Sequence, residues 1–373
     1  MAVEKKNKSF NFIDLFAGIG GFHIAMHSVG GRCVFASEWD KNARLTYEAT
    51  YKNVEPKLFK KDTNGEYIYF NEDINDADAE TIPQFDVLCG GFPCQAFSIA
   101  GLRKGFEDTR GTLFFNIAQI VDHKIHQGQK PKVLLLENVK GLKNHRGGET
   151  LKKILSVLTD DLKYEVRPMV LNAKYFGVPQ NRERLFFVCW DKGQIPVDEF
   201  KFPFGLDTNN APLYSLDEAK EKCKPTRVGD IFEPVSKIDP KFTISDKMWI
   251  GHQERKKRNK ANGKGFGYSL FTADSIYAST ISARYWKDGS EILIAQEGKN
   301  PRTLTPVEAG RLQGYYIEGA GWENPAAKYD KDIPLQIVVS KKEAYHQFGN
   351  SVAVPVIKAI AREIKTQLLD KAK

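Results

Sequence analysis

Short apolar runs alternate with amphipathic helical stretches through the first half of this chain, and few folds accept that alternation. "FNFIDLF" reads as a strand, and Gly18, Gly20 and Gly21 mark the tight turn after it. Phe22, Ala25, Met26 and Val29 then recur at helical spacing. "RCVFAS", "FDVLCG", "KVLLLE" and "RLFFVCW" are further strands, separated by helical segments such as the one carrying Leu113, Ile117, Ile120 and Val121. Strands this apolar, joined by helices, indicate a parallel sheet covered on both faces. The expected class is therefore α/β, with ligands at the carboxyl ends of the strands.

After Trp190 the alternation stops. Proline, glycine and mixed polar residues dominate, followed by the basic run "HQERKKRNKANGKGFGYS" and by β-branched and aromatic pieces in "SIYASTISARYWKDGSEILI". A smaller, irregular, β-rich second domain is expected there, over residues 205–340. The tail "GNSVAVPVIKAIAREIKTQLLD" is amphipathic again, so residues 1–204 and 341–373 are expected to form one discontinuous domain. A length of 373 residues with 41% hydrophobic side chains suffices for both cores.

Composition narrows the chemistry. A formal net charge of +8 favours a polyanionic partner without specifying one. The five cysteines are unevenly spaced with no CxxC pair, so neither a disulfide framework nor a metal site is suggested. The opening "MAVEKKNKSFNF" lacks the apolar core of a secretion signal, and no apolar run is long enough to span a bilayer. A cytoplasmic setting is expected.

Several polar residues fall at strand ends. The glycine turn "DLFAGIGGF" lets main-chain N–H groups approach a ligand, although a plain strand–helix turn explains it equally well. It does not fit the dinucleotide fingerprint, because the third glycine position falls on His23. Glu38, in "SEWD", is an acid placed to bind ribose hydroxyls, and Trp39 offers a flat face to an adenine. Asp73 is a further strand-end acid; core packing for Trp39 and an exposed loop carboxylate for Asp73 are the plain alternatives.

Cys33, Cys89 and Cys189 sit inside apolar strands and read as inert packing residues, while Cys223 has no evident role. Cys94 differs: it follows Pro93 in a glycine-rich turn at the functional edge of the sheet, where a thiolate can be exposed and activated. Glu137 ends the leucine run "LLLENV", a setting that suits a proton donor. Arg182 and Arg184, in "QNRERLF", alternate onto one face of an extended segment and suit a phosphate or an oxyanion.

The ordered set "DLFAGIGGF", "EWD", "GFPCQAFS", "GTLFF", "ENV", "QNRERLF", "RTLTPVEAGRLQGY" and "GNSVAVPV" resembles the bacterial DNA (cytosine-5)-methyltransferase family over nearly the whole chain. The resemblance implies a Rossmann-like, S-adenosylmethionine-dependent methyltransferase sheet and double-stranded DNA as substrate. It implies that Cys94 adds to C6 of a flipped-out cytosine, that Glu137 holds N4 and protonates N3, and that Arg182 and Arg184 hold O2 and the neighbouring backbone. Phe16, Gly18, Gly20, Glu38, Trp39, Asp73, Ile74, Pro93, Leu113 and Asn350 would line the S-adenosylmethionine site.

The stretch after Cys94, with Ser98 and Arg110, would close over DNA. Arg255, Lys256, Lys257, Arg258 and Arg284 would contact DNA, and phosphate is the natural partner of that basic run. "GFGYSLF" and "TISARYWKDGSEILI" are similar to the recognition regions of enzymes that methylate CC(A/T)GG and related sites. A restriction–modification setting with a partner endonuclease, and a monomer, are expected. The competing activity is RNA (tRNA) cytosine-5 methylation, because a tRNA-modifying branch of the family keeps "ENV". No Asp/Asn/Ser-Pro-Pro-aromatic motif of an exocyclic-amine methylase is present.

Overall fold

Leu134, Leu135 and Leu136 are fully buried on both faces of one strand, which is what a continuous leucine run requires. That strand is β5 (Val133–Val139) of a seven-stranded sheet. The computed structural model describes residues 9–93, 113–317 and 333–373. The other strands are β1 (Phe10–Leu15), β2 (Gly31–Ser37), β3 (Phe70–Asn71), β4 (Val87–Gly91), β6 (Glu165–Asn172) and β7 (Glu183–Trp190). Their order is β3-β2-β1-β4-β5-β7-β6. The pairs β2–β3, β1–β2, β1–β4 and β4–β5 are parallel, and β7 runs antiparallel to β5. The order reverses between β1 and β4, the switch point at which such sheets bind ligands.

Helices α1 (Gly21–Ser28), α2 (Lys41–Tyr51), α3 (Leu113–His126) and α4 (Glu149–Ser156) connect these strands. The start of α2 is set by Asp40, whose carboxylate accepts from the N–H groups of Asn42 and Ala43 at 2.8 and 2.9 Å. Gly20 begins α1 with φ of +82°, and a Cβ there would lie 2.3 Å from the Tyr51 ring. Only glycine satisfies both the left-handed backbone and that approach.

Behind the glycine turn lies a buried polar cluster. The Tyr51 hydroxyl donates to the carbonyls of Ile19 and Gly20, and its ring stacks on His23 at 3.9 Å. His23 Nδ1 lies 2.7 Å from the Tyr47 hydroxyl, which in turn donates to Asp14 at 3.4 Å. Burial, with His27 nearby, holds the His23 imidazole well below its usual 6.5. The folded chain therefore refuses a proton that the unfolded chain accepts. Stability is complete above pH 6.5 and falls below it, by up to about 1.4 kcal/mol per pH unit, until the folded-state value is reached. Asp14, raised by burial, acts in the opposite sense but is common to wild type and a His23 variant. Urea midpoints at pH 7.5, 6.5 and 5.5 should decline less steeply in His23→Gln than in wild type; parallel declines would exclude His23 as the cause.

Contacts divide the chain into two units: residues 1–171, 183–203 and 357–373, and residues 172–182 and 204–356. The division differs from the sequence partition at 172–182, at 204 and at 341–356, all of which group with the second unit. The end of the chain joins the first through hydrogen bonds of Gln367 with Lys201 and of Lys373 with Gln194.

The second unit contains the short strands β8 (Gly205–Leu206), β9 (Pro212–Leu213), β10 (Leu270–Phe271), β11 (Leu293–Gln296) and β12 (Lys299–Arg302). Its helices are α5 (Leu216–Lys222), α6 (Asp246–Ala261), α7 (Pro306–Leu312) and α8 (Lys341–Asn350); α9 (Val354–Glu363) begins in it. It is irregular as expected, yet its described residues carry more helix than strand. The alternation in "SIYASTISARYWKDGSEILI" yields only β11, because most of that stretch is extended or turn without a ladder partner.

The "RTLTPVEAGRLQGY" stretch is the framework of this unit. Arg302 grips the fully buried Glu308 with two hydrogen bonds, at 2.7 and 2.9 Å. Glu308 also accepts from the Thr305 N–H at 2.9 Å, while Thr305 Oγ1 accepts from the Glu308 N–H at 3.1 Å, which closes a capping box on α7. Glu308→Ala leaves the Arg302 guanidinium buried without its counter-charge, and about 3–5 kcal/mol of stability should be lost. Hydrogen exchange should show that loss first in amides of α7 and β12; unaltered protection there would contradict it.

Candidate active site

Parallel strands carry their carboxyl ends to one edge, and β2, β1, β4 and β5 are consecutive neighbours. At about 4.8 Å per strand, the four ends span roughly 14 Å. Most of the residues singled out in the first half of the sequence lie along this edge.

On the β1–β2 side, the Glu38 carboxylate is held by the main chain. Its Oε2 accepts from the Gly18 N–H and its Oε1 from the Asp40 N–H, each at 2.7 Å. Burial pushes this carboxyl up, and the two N–H groups oppose that shift. Each oxygen retains a second lone pair for hydroxyl donors. Trp39, next in sequence, is 72% exposed, as a ring waiting for a flat partner would be.

Phe16, just past β1, has φ of +55°. A bulky side chain in the left-handed region is a genuine outlier, costing about 1–3 kcal/mol, and such strain concentrates where a ligand is held. Gly18 has φ of +56°, and nothing lies within 4 Å of where its Cβ would be. Past β3, Asp73 caps one turn of 3-10 helix, accepting from both the N–H and the side-chain amide of Asn75 at 2.9 and 2.7 Å. Ile74 follows it, buried, and Asn116 of α3 donates to Asn75 at 3.0 Å. Leu113 is half-buried at the start of α3. An open glycine, an anchored acid and an exposed indole on neighbouring strand ends fit an adenosine-containing cofactor.

On the β4–β5 side, Glu137 pairs in register with Gly91, the last residue of β4. A Cβ on Gly91 would lie 3.3 Å from the Glu137 carboxylate, so glycine leaves the acid its space. Arg184, brought alongside by the antiparallel β7, places Nε 3.1 Å from Glu137 Oε1. Burial pulls the Arg184 guanidinium down while Glu137 opposes that shift. Asn138, to which sequence reasoning gave no role, donates to the Phe92 carbonyl at 2.8 Å and so fixes the turn that leads to Pro93. Its place directly after the strand-end acid was the available signal. Cys94, Ser98 and Arg110 lie outside the described residues.

Arg182 and Arg184 bond to different partners. Arg182 precedes β7 and is 3% exposed; its guanidinium donates to the carbonyls of Ile281, Gly349 and Ser351, all in the second unit. Arg182 thus stands just before β7, which begins at Glu183. Asn350, at the end of α8 in the second unit, lies 3.3 Å from His346.

The family model for C-5 cytosine-specific DNA methylase matches residues 10–366. The chain belongs to this family. The methylase is 47% identical over 372 residues to Type II methyltransferase M1.ScrFI of Lactococcus lactis subsp. cremoris, covering 99% of this chain and 81% of that protein. It is 47% identical over 361 residues to M.NlaX of Neisseria lactamica, covering 96% and 97%. Among solved structures, the S. pombe Dnmt2 methyltransferase superposes with a TM-score of 0.65 at 16% identity, covering 96% and 99% of the two chains, a likeness of fold alone. The methylase thus transfers a methyl group to C5 of cytosine in DNA.

In its second unit the basic run is helix α6, and helical geometry sorts the charges. Arg255 turns inward: its guanidinium donates twice to the Gly267 carbonyl, meets Asp288 at 2.8 Å and lies 2.9 Å from His252. It therefore braces the methylase internally, whereas Lys256, Lys257 and Arg258 are exposed, as is Arg284. Adjacent residues on a helix differ by about 100° in direction, so closeness in sequence does not make a shared face. Among the described residues no helix is long and apolar enough to cross a membrane.

Proposed function

We propose that the methylase works through a covalent Cys94–C6 adduct on a cytosine flipped out of duplex DNA, with S-adenosylmethionine as its cofactor. The observation that carries this reading is the Glu137–Arg184 pair beside the end of β4, three residues before Cys94. C5 of cytosine is a poor nucleophile. The Cys94 thiolate forms a bond to C6, and the displaced electron pair makes C5 an enamine carbon. Glu137 holds N4 and delivers a proton to N3 as the ring accepts charge, and Arg184 orients Glu137 while reaching O2. Bound S-adenosylmethionine supplies an electrophilic methyl group. A base then removes the C5 proton, the S–C6 bond breaks and 5-methylcytosine leaves.

Glu38 binds the cofactor's ribose hydroxyls, Trp39 flanks its adenine, and Asp73 with Ile74 reads the adenine edge. Phe16, Gly18, Gly20, Pro93 and Leu113 complete that pocket. A stacked cytosine hides C6 from any side chain, and taking it out of the duplex costs about a few kcal/mol of lost stacking and pairing. Ser98 and Arg110 hold the extruded base, and Arg182 with Arg184 holds cytosine O2 and the neighbouring backbone. The second unit reads the target, with the exposed cations of α6 and Arg284 on DNA. The methylase acts as a monomer alongside a restriction endonuclease of the same specificity. Bisulfite sequencing of DNA from cells expressing the protein tests the reaction and reports the target together. Protected cytosines at one short sequence are expected, and none anywhere would sink the reading.

A further inference from the structure

We propose that one face of α6, formed by Gln253, Lys256, Lys257 and Lys260 and bounded by Tyr268, seats the phosphodiester backbone of duplex DNA as a contact additional to the cytosine site. The proposal rests on the DNA reading above and deepens it, separating cations that meet DNA from those that hold the fold.

Helix α6 has only one buried residue, His252, among its 16. It is fixed along a single stripe by the segment that follows it. Trp249 packs edge-on against Tyr268 at 4.9 Å, Arg255 binds the Gly267 carbonyl, and Asn259 donates to the Phe266 carbonyl. A Cβ on Gly267 would lie 2.5 Å from the Lys256 Cα, so the glycine lets the returning chain press onto the helix. That stripe uses Arg255, and Asp288 answers its charge.

The neighbouring face is left with three exposed lysines. With Gln253 and Tyr268 they line a concave patch of about 350 Å³. Lys256 Nζ lies 4.2 Å from the centre of the Tyr268 ring, which holds the cation at the rim of the patch. No ion pair within the described residues engages Lys257 or Lys260. From Lys256 to Lys260 the helix rises about 6 Å. A DNA strand presents one phosphate per roughly 3.4 Å of helix axis, so the face matches a short run of one backbone.

The chemistry favours phosphate over base edges. Lysines are flexible point charges without the planar fork that reads guanine, and the patch has one amide, Gln253, for directional bonding. The contact therefore adds affinity on every sequence and leaves target choice to other residues.

The test uses the full-length protein and a triple variant, Lys256→Gln, Lys257→Gln and Lys260→Gln, on a duplex with the target and one without it. Binding is measured across a potassium chloride series, and kcat and KM for DNA are measured on the target duplex. The slope of log K against log salt should become shallower by about 1 per lysine, equally on both duplexes. KM should carry the loss in turnover, and a triple Lys→Arg variant should restore both. An unchanged slope would overturn the proposal. So would a changed methylation sequence, which would make this face a base reader. If the wild type bound DNA without methylating it, the reaction assigned above would fall while the salt slope still decided this contact.

Discussion

Cys94→Ala should abolish methyl transfer, lowering the rate on DNA by on the order of 10⁴-fold or more, as removal of a covalent nucleophile does. Without sulfur addition at C6 there is no enamine, and C5 has no electron pair to offer a methyl donor. Binding of duplex DNA in a gel-shift assay should survive, because the change removes only one small side chain. Labelled-methyl incorporation measures the first expectation; undiminished turnover would end the covalent scheme. The other cysteines supply the contrast. Cys89 lies five residues earlier on β4, fully buried, and burial, with Asp14 and Cys33 nearby, pushes its thiol well above the ordinary value. Cys33 and Cys189 are raised by burial as well. These three remain protonated packing residues, so Cys89→Ala should not reproduce the Cys94 phenotype.

Glu137→Gln should lower kcat by about 10²- to 10⁴-fold, the range that general acid–base groups contribute. The amide still accepts from N4 but has no acidic proton for N3. It also removes the negative partner of Arg184, 3.1 Å away, and so loosens the cation proposed to reach O2. Single-turnover kinetics at saturating DNA and cofactor isolate the chemical step, and the loss should appear there. A defect confined to DNA affinity would instead make Glu137 a docking residue. Adding Arg184→Gln to Glu137→Gln should cost less than the sum of the single changes, because the two side chains act as a pair.

Much of this edge was legible in the sequence. Glu38 follows a strand whose apolar run ends abruptly, and Glu137 stands after three leucines, so each is placed by counting along its own strand. Other residues escaped because their partners are remote in sequence. Tyr51 supports the turn at Gly20 from 31 residues away, and nothing local distinguishes it from another helix tyrosine. Arg255 stands in the basic run as one cation among several until the returning Gly267 and Asp288 take it inward. Arg182 is two residues from Arg184 yet bonds to Gly349 and Ser351.

The amino-acid order alone determined the alternation of strand and helix, the glycine turn after β1 and the family. These depend on periodicity and short motifs, which the chain carries locally. Only the tertiary structure decided which charges meet. β5 and β7 become antiparallel neighbours in one register, and that register gives Glu137 its arginine. Strand order and register are set by burying whole faces at once, a long-range condition that no short stretch encodes.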